Sequence, residues 1–119
     1  MKIPTKDQVP KPGYYYHYKH DLAKGIRDYA YEVCAVGFHT EDDCRPQDTW
    51  FVNYRPLYED ALVYQAGKKL GIQCVDNRPL EMWMGQVTKD GRTFPRFSRI
   101  SDPAVIAELE VVRKEMYGK

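Results

Sequence analysis

The stretch Gly13-Tyr14-Tyr15-Tyr16-His17-Tyr18-Lys19 constrains the fold more than any other. Tyrosine favours strands, and Pro12-Gly13 punctuates the chain just before it, so the run predicts a β-strand over Tyr14 to Lys19. Alternation puts Tyr14, Tyr16 and Tyr18 on one face, toward a core. It puts Tyr15, His17 and Lys19 on the other, toward solvent or a groove. Such a strand needs partners, and the chain supplies them. Tyr29 to His39 reads as a second strand and Thr49 to Tyr58 as a third, stopped near Pro56. The polar segments His20 to Asp28 and Thr40 to Asp48 read as the loops between them.

Further along the pattern is mixed. Ala61 to Val75 carries helical spacing at Leu62, Gln65, Ala66 and Lys69, but strand formers at Val63, Tyr64, Ile72 and Val75. The expectation adopted is a hairpin turning at Ala66-Gly67-Lys68, with a helix as the alternative. Leu80 to Val87 reads as another strand. Asp90-Gly91 is the strongest short hairpin signal in the chain and predicts a return strand around Arg92 to Phe94. The end is helical: Asp102 caps, Pro103 occupies the first helical position, and Gly118 stops the helix. Val105, Leu109, Val112 and Met116 form one apolar stripe over about 103–117.

Several short antiparallel strands followed by one helix imply a mainly β (α+β) fold. The expected form is a small antiparallel, half-open, SH3-like barrel with one C-terminal helix over an edge or the mouth. Residues 1–12, with prolines at 4, 10 and 12, form an extended lead-in, and 13–119 a single β-rich domain.

Composition narrows the function classes. Hydrophobic residues at 43% and charged residues at 29% fit a globular chain rather than a disordered one. A formal net charge of +1 gives no global attraction to nucleic acid or an acidic membrane, so any polyanion site is a local patch. Cys34, Cys44 and Cys74 are odd in number and form no Cys-x-x-Cys pair, which argues against a disulfide framework and a zinc knuckle. Reduced thiols imply a cytoplasmic location. The N-terminus has no apolar signal-peptide core and no run spans a bilayer, so no membrane role is expected.

One local pattern repeats. Asn53 to Glu59 (NYRPLYE) and Asp76 to Met82 (DNRPLEM) share Arg-Pro-Leu, and Phe94 to Phe97 (FPRF) reverses the order. The pattern sets Arg55, Arg78 and Arg96 at strand ends. With PGYYYHYKH, YEVCAVGFHTEDD, WFVNYRPLY, NRPLEMW and DGRTFPRF, the sequence resembles a small bacterial and phage family, domain of unknown function number 1653. The resemblance covers about Pro12 to Ile100 and implies a compact, mainly β domain. It implies no established activity. The segments 20–28 and 59–77 are longer here than in the short family version.

Four candidate sites follow. His39 and Glu41, with His17 elsewhere, offer general acid–base chemistry, because a histidine titrates near neutrality; the bland alternative is a strand-closing histidine beside a solvated carboxylate. His39, Asp42, Asp43 and Cys44 have metal-ligand chemistry but match no zinc or EF-hand spacing, so no metal or other cofactor is expected. Cys34 and Cys74 read as inert core thiols in strands, and Asp42 and Asp43 would raise the Cys44 pKa. Tyr15, His17, Lys19, Tyr54, Arg55, Arg78 and Arg96 can form an aromatic, basic surface for single-stranded nucleic acid, a nucleotide or a peptide. In that reading His17, Tyr54, Arg78 and Arg96 line the site and His39 with Glu41 shapes one wall. The bland alternative pairs the arginines with Glu32, Glu59 or Glu81. A binding module is the expected function. The rivals are a hydrolase-like or nucleotide-acting enzyme using His39, and a structural interaction domain.

Overall fold

A computed structural model describes residues 3–41, 43, 45 and 49–118. Its frame is an open five-stranded antiparallel sheet of order β4-β3-β2-β1-β7, built from β1 (Gly13–His17), β2 (Ala30–Phe38), β3 (Trp50–Pro56), β4 (Asp76–Pro79) and β7 (Phe97–Arg99). A separate hairpin pairs β5 (Gln86–Lys89) with β6 (Arg92–Pro95). Its turn residues Asp90 and Gly91 take φ of 53° and 75°, the left-handed pair that a two-residue type I′ turn demands. The fold is mainly β with a C-terminal helix, as the strand pattern predicts, but neither sheet closes into a barrel among the described residues.

Three α-helices occur among the described residues: α1 (Leu62–Leu70), α2 (Leu80–Trp83) and α3 (Pro103–Tyr117). The first two correct the sequence reading. The expected hairpin over 61–75 is a helix, closed by Gly71 at φ 72° with its N–H on the Gly67 carbonyl. Gly67 favours no turn here. It lets the returning chain pass close, since a Cβ would sit 3.1 Å from the Ile72 carbonyl oxygen. The expected strand over 80–87 opens with one helical turn, so that Leu80 and Trp83, three residues apart, both face the core. The N-terminal lead-in contains one 3₁₀ turn, Lys6–Gln8, and Val9 packs against the core. Helix α3 begins as expected, with the Asp102 carboxylate accepting from the Ala104 N–H at 2.9 Å. No helix among the described residues is long and apolar enough to cross a membrane.

Both faces of the sheet are covered. One carries Tyr15, Tyr31, Val33, Val52, Tyr54 and Phe97, capped by Leu80 and Trp83 of α2. The other carries Tyr14, Ala30, Leu57 and Ile100 under Leu109 of α3, with Tyr16, Val105 and Val112 alongside. The expectation that the Tyr15 face is open to solvent therefore fails at Tyr15 itself, which is 6% exposed. The three neighbouring tyrosines of β1 end in three different places. The Tyr14 hydroxyl donates to the Glu110 carboxylate, Tyr15 to the Lys11 carbonyl at 2.7 Å, and Tyr16 to the Ile26 carbonyl at 2.7 Å.

Candidate functional site

Residues paired across antiparallel strands share a face. The pairs His17 with Phe97, Val52 with Arg78, and Tyr54 with Asp76 therefore set His17, Phe97, Tyr54, Arg78 and Asp76 on the face that also holds Tyr15 and Tyr31. Trp83 stacks on the Phe97 ring at 3.7 Å between centroids, with planes 7° apart, and fills one end of that face. Beyond it the lining turns polar. The Arg78 guanidinium carbon lies 5.3 Å from the Phe97 ring centre, a cation–π contact, and its Nε donates to the Tyr54 hydroxyl at 3.4 Å. The His17 ring meets Phe97 edge-on at 5.1 Å and stacks on Tyr29 at 5.4 Å.

The His17 Nδ1 accepts the Lys19 backbone N–H at 3.2 Å, so the neutral ring carries its proton on Nε2 and can donate there. Burial, then the charges of Arg78, Lys19 and Arg96, push its pKa down to about 4, and the ring is neutral at pH 7. Burial likewise raises the Tyr31 and Tyr58 phenols, whose hydroxyls share a hydrogen bond of 2.7 Å. It raises the Asp76 carboxyl too, against the opposing charge of Arg78.

The arginines divide sharply. Arg55 lies on the opposite face, 2.9 Å from the Glu32 carboxylate and over the Tyr117 ring at 4.2 Å. Arg27 pairs with Glu59 at 3.5 Å, and Arg113 with Glu110 at 3.0 Å. Arg78 and Arg96 have no ion pair among the described residues, and the Arg96 Nε is buried without a hydrogen-bond partner. Bracing by glutamate thus describes Arg55 but neither of the two arginines whose charge reaches His17.

His17, Tyr54 and Arg78 are joined on one face by the contacts above, and Arg96 is close enough for its charge to act on His17. Lys19 is exposed just past β1 and adds charge at the margin. His39 lies across the sheet instead, beside Phe51 at 6.0 Å, in a hollow of about 270 Å³ with Asn53 and Asn77. Its contact with Glu41 is to the backbone: the Glu41 N–H donates to His39 Nδ1 at 3.3 Å. Of the suggested metal set, Asp42 and Cys44 lie outside the described residues, and no cluster of three or more His, Cys, Asp or Glu side chains suited to a metal occurs among the described ones. Cys34 is half-buried and burial raises its thiol pKa; Cys74 sits in the loop after α1 rather than in the expected strand.

Tyr29, Tyr58 and Asp76 belong to the same neighbourhood and were not singled out as site residues from the sequence. Tyr29 takes φ 50°, uncommon for a bulky side chain, directly before β2. Between the 24–29 loop and the 58–60 turn a hollow of about 470 Å³ opens, with Tyr29 and Tyr58 among its walls. An apolar period of two gives no sign of such residues, because Tyr29 and Tyr58 stand just outside the strands and Asp76 opens a strand of only four residues.

Sheet and site together define a small α+β domain whose aromatic face carries Arg78 beside Asp76, with the Arg96 charge close to His17. The chain belongs to the family described as protein of unknown function (DUF1653), whose model matches residues 13–99. Compared with curated proteins and with solved structures, it has no significant match in either set.

Proposed function

We propose that this domain is a binding module for an anionic ligand with a planar or aromatic part, the class that includes single-stranded nucleic acid, nucleotides and acidic peptides. The observation that carries it is the nearness of Arg78 and Arg96, neither in an ion pair among the described residues, to a neutral His17 on an aromatic floor, with Asp76 the carboxylate that feels the Arg78 charge. A cation held in a partly desolvated place with no counter-charge costs free energy that folding alone does not recover. An incoming phosphate or carboxylate offsets that cost and gains charge-assisted hydrogen bonds from the two guanidiniums and from His17 Nε2–H. Tyr29, 36% exposed, offers a ring face for the planar part.

The test is a residue-resolved amide NMR titration with short single-stranded DNA and RNA, mononucleotides and an acidic peptide. Shifts converging on His17, Arg78 and Arg96, abolished by Arg96→Ala with the rest of the spectrum intact, are the expected result. No response at these residues to any of the probes refutes the reading. The His39-based enzyme draws less support, since its ring is engaged by the Glu41 backbone N–H rather than by a carboxylate.

A further inference from the structure

We infer that the hollow between Tyr29 and Tyr58 seats the base of a nucleotide whose phosphate lies on Arg78 and Arg96. This rests on the anion-binding reading above and gives the ligand its second half. The hollow, at about 470 Å³, is in the range of small-molecule clefts and has room for a base with its sugar. One of its walls reaches toward the arginine patch through His17. Tyr29 stacks on His17 at 5.4 Å, and the Tyr58 hydroxyl bonds that of Tyr31 at 2.7 Å.

Tyr29 is costly to keep where it is. It is 36% exposed and held at φ 50°, and such a backbone for a large aromatic residue persists only where its surroundings impose it. A ring fixed at the mouth of a hollow is a ready stacking partner for a flat ligand.

The polarity of the hollow distinguishes a base from other flat groups. Arg27 is spent on Glu59 at 3.5 Å and on the Leu57 carbonyl at 2.7 Å, and the Asp28 carboxylate accepts the Asp21 N–H at 2.8 Å. Asp60 lines the hollow with no hydrogen bond or ion pair among the described residues. Asp60 is therefore a free acceptor, which repels phosphate and receives an amino donor. Lys24 and Arg27 offset two of the three carboxylates that line the hollow, so it asks of a ligand a flat face for Tyr29 and a donor for Asp60. A neutral ring with an exocyclic amino group, as in cytosine, adenine or guanine, meets both conditions. The phosphate then turns to the arginine end, where neither guanidinium is in an ion pair among the described residues and Asp76 alone is seen to act on Arg78.

The test is calorimetric titration of the protein with CMP, UMP, ribose 5-phosphate and an oligocytidylate pentamer, repeated on Tyr29→Ala and Asp60→Asn. CMP is expected to bind about tenfold more tightly than ribose 5-phosphate, in line with one base–aromatic stack. Tyr29→Ala should erase that gain and leave ribose 5-phosphate binding unchanged. Asp60→Asn should narrow the preference for CMP over UMP. A pentamer that outbinds CMP identifies the source as a nucleic-acid strand; equal affinities identify a free nucleotide. Should Tyr29→Ala not fold, amide shifts at Tyr58 and Asp60 on adding CMP to the native protein replace it as the readout. Equal binding of CMP and ribose 5-phosphate, with shifts confined to Arg78 and Arg96, overturns the base seat and leaves the anion site standing. Failure of every phosphate compound to bind overturns both.

Discussion

Replacing His17 by glutamine separates the electrostatics of the site from its packing. In the folded protein burial and the charges of Arg78, Lys19 and Arg96 hold the imidazole pKa at about 4, against 6.5 for the free side chain. The unfolded chain takes up its proton near pH 6.5, the native one only near pH 4. Between those values the unfolded state binds more protons, so stability falls as pH falls through this window and His17 adds no further pH dependence outside it. At 1.36 kcal/mol per pH unit the full interval corresponds to roughly 3 kcal/mol. The ring is only partly buried, and solvent screening reduces the expected effect to ~1–2 kcal/mol. Urea denaturation of the native protein and His17→Gln at pH 7 and pH 4.5 isolates this contribution, because the other titrating groups are common to both. The native protein should lose more stability on acidification than the variant does, by ~1–2 kcal/mol, or about 0.5–1 M in urea midpoint. A stability difference that stays constant across the two pH values would refute the reasoning. The same coupling has a binding counterpart. An anion beside the ring raises its pKa, so anion affinity should rise as pH drops toward 5 and be flat in His17→Gln.

Three further outcomes follow from the packing. Trp83→Ala removes a side chain 2% exposed and stacked on Phe97, and should cost ~3–5 kcal/mol in chemical denaturation. Arg55→Leu leaves Glu32 with its more distant partner Arg113 at 3.7 Å and should cost ~1–2 kcal/mol, whereas Arg96→Ala, which removes a buried donor without a partner, should raise stability by ~1 kcal/mol while weakening ligand binding. Asp102→Ala, which removes the cap of α3, should cost ~1 kcal/mol, seen as a lower melting temperature.

Strand positions, the Asp90-Gly91 turn and the capped C-terminal helix were legible because each rests on a local rule that the tertiary structure obeys. The segment 61–75 was not. α1 does carry an apolar stripe, Leu62, Val63, Ala66 and Leu70, but it buries none of these fully, and the glycine at 67 with strand formers at 63, 64, 72 and 75 pulls the reading toward a hairpin. Its informative signal was the ending, two lysines and a leucine before Gly71, which reads as a helix C-terminus. At Leu80 to Trp83 a single turn is shorter than any helical period can register. The two-sided sheet was illegible for another reason: in a strand covered on both faces, alternation carries no contrast. Arg55, Arg78 and Arg96 looked equivalent in their Arg-Pro settings, and only register separates them. Arg55 pairs across to Glu32, while Arg78 faces Val52 on the aromatic side.

The tyrosine run of β1 raises a problem of bookkeeping along the strand. A slip of one residue normally exchanges apolar for polar side chains and is rejected at once. Here it would move tyrosine onto tyrosine at two consecutive positions, and the rings would be buried almost as well. What distinguishes the correct alignment is the far end of each side chain, where the hydroxyls of Tyr14, Tyr15 and Tyr16 find Glu110, the Lys11 carbonyl and the Ile26 carbonyl. The hydroxyls act as an address code for a strand whose rings alone are interchangeable. A triple exchange to phenylalanine would keep the hydrophobicity and erase the code, leaving a protein that collapses readily and pairs its first strand in more than one way.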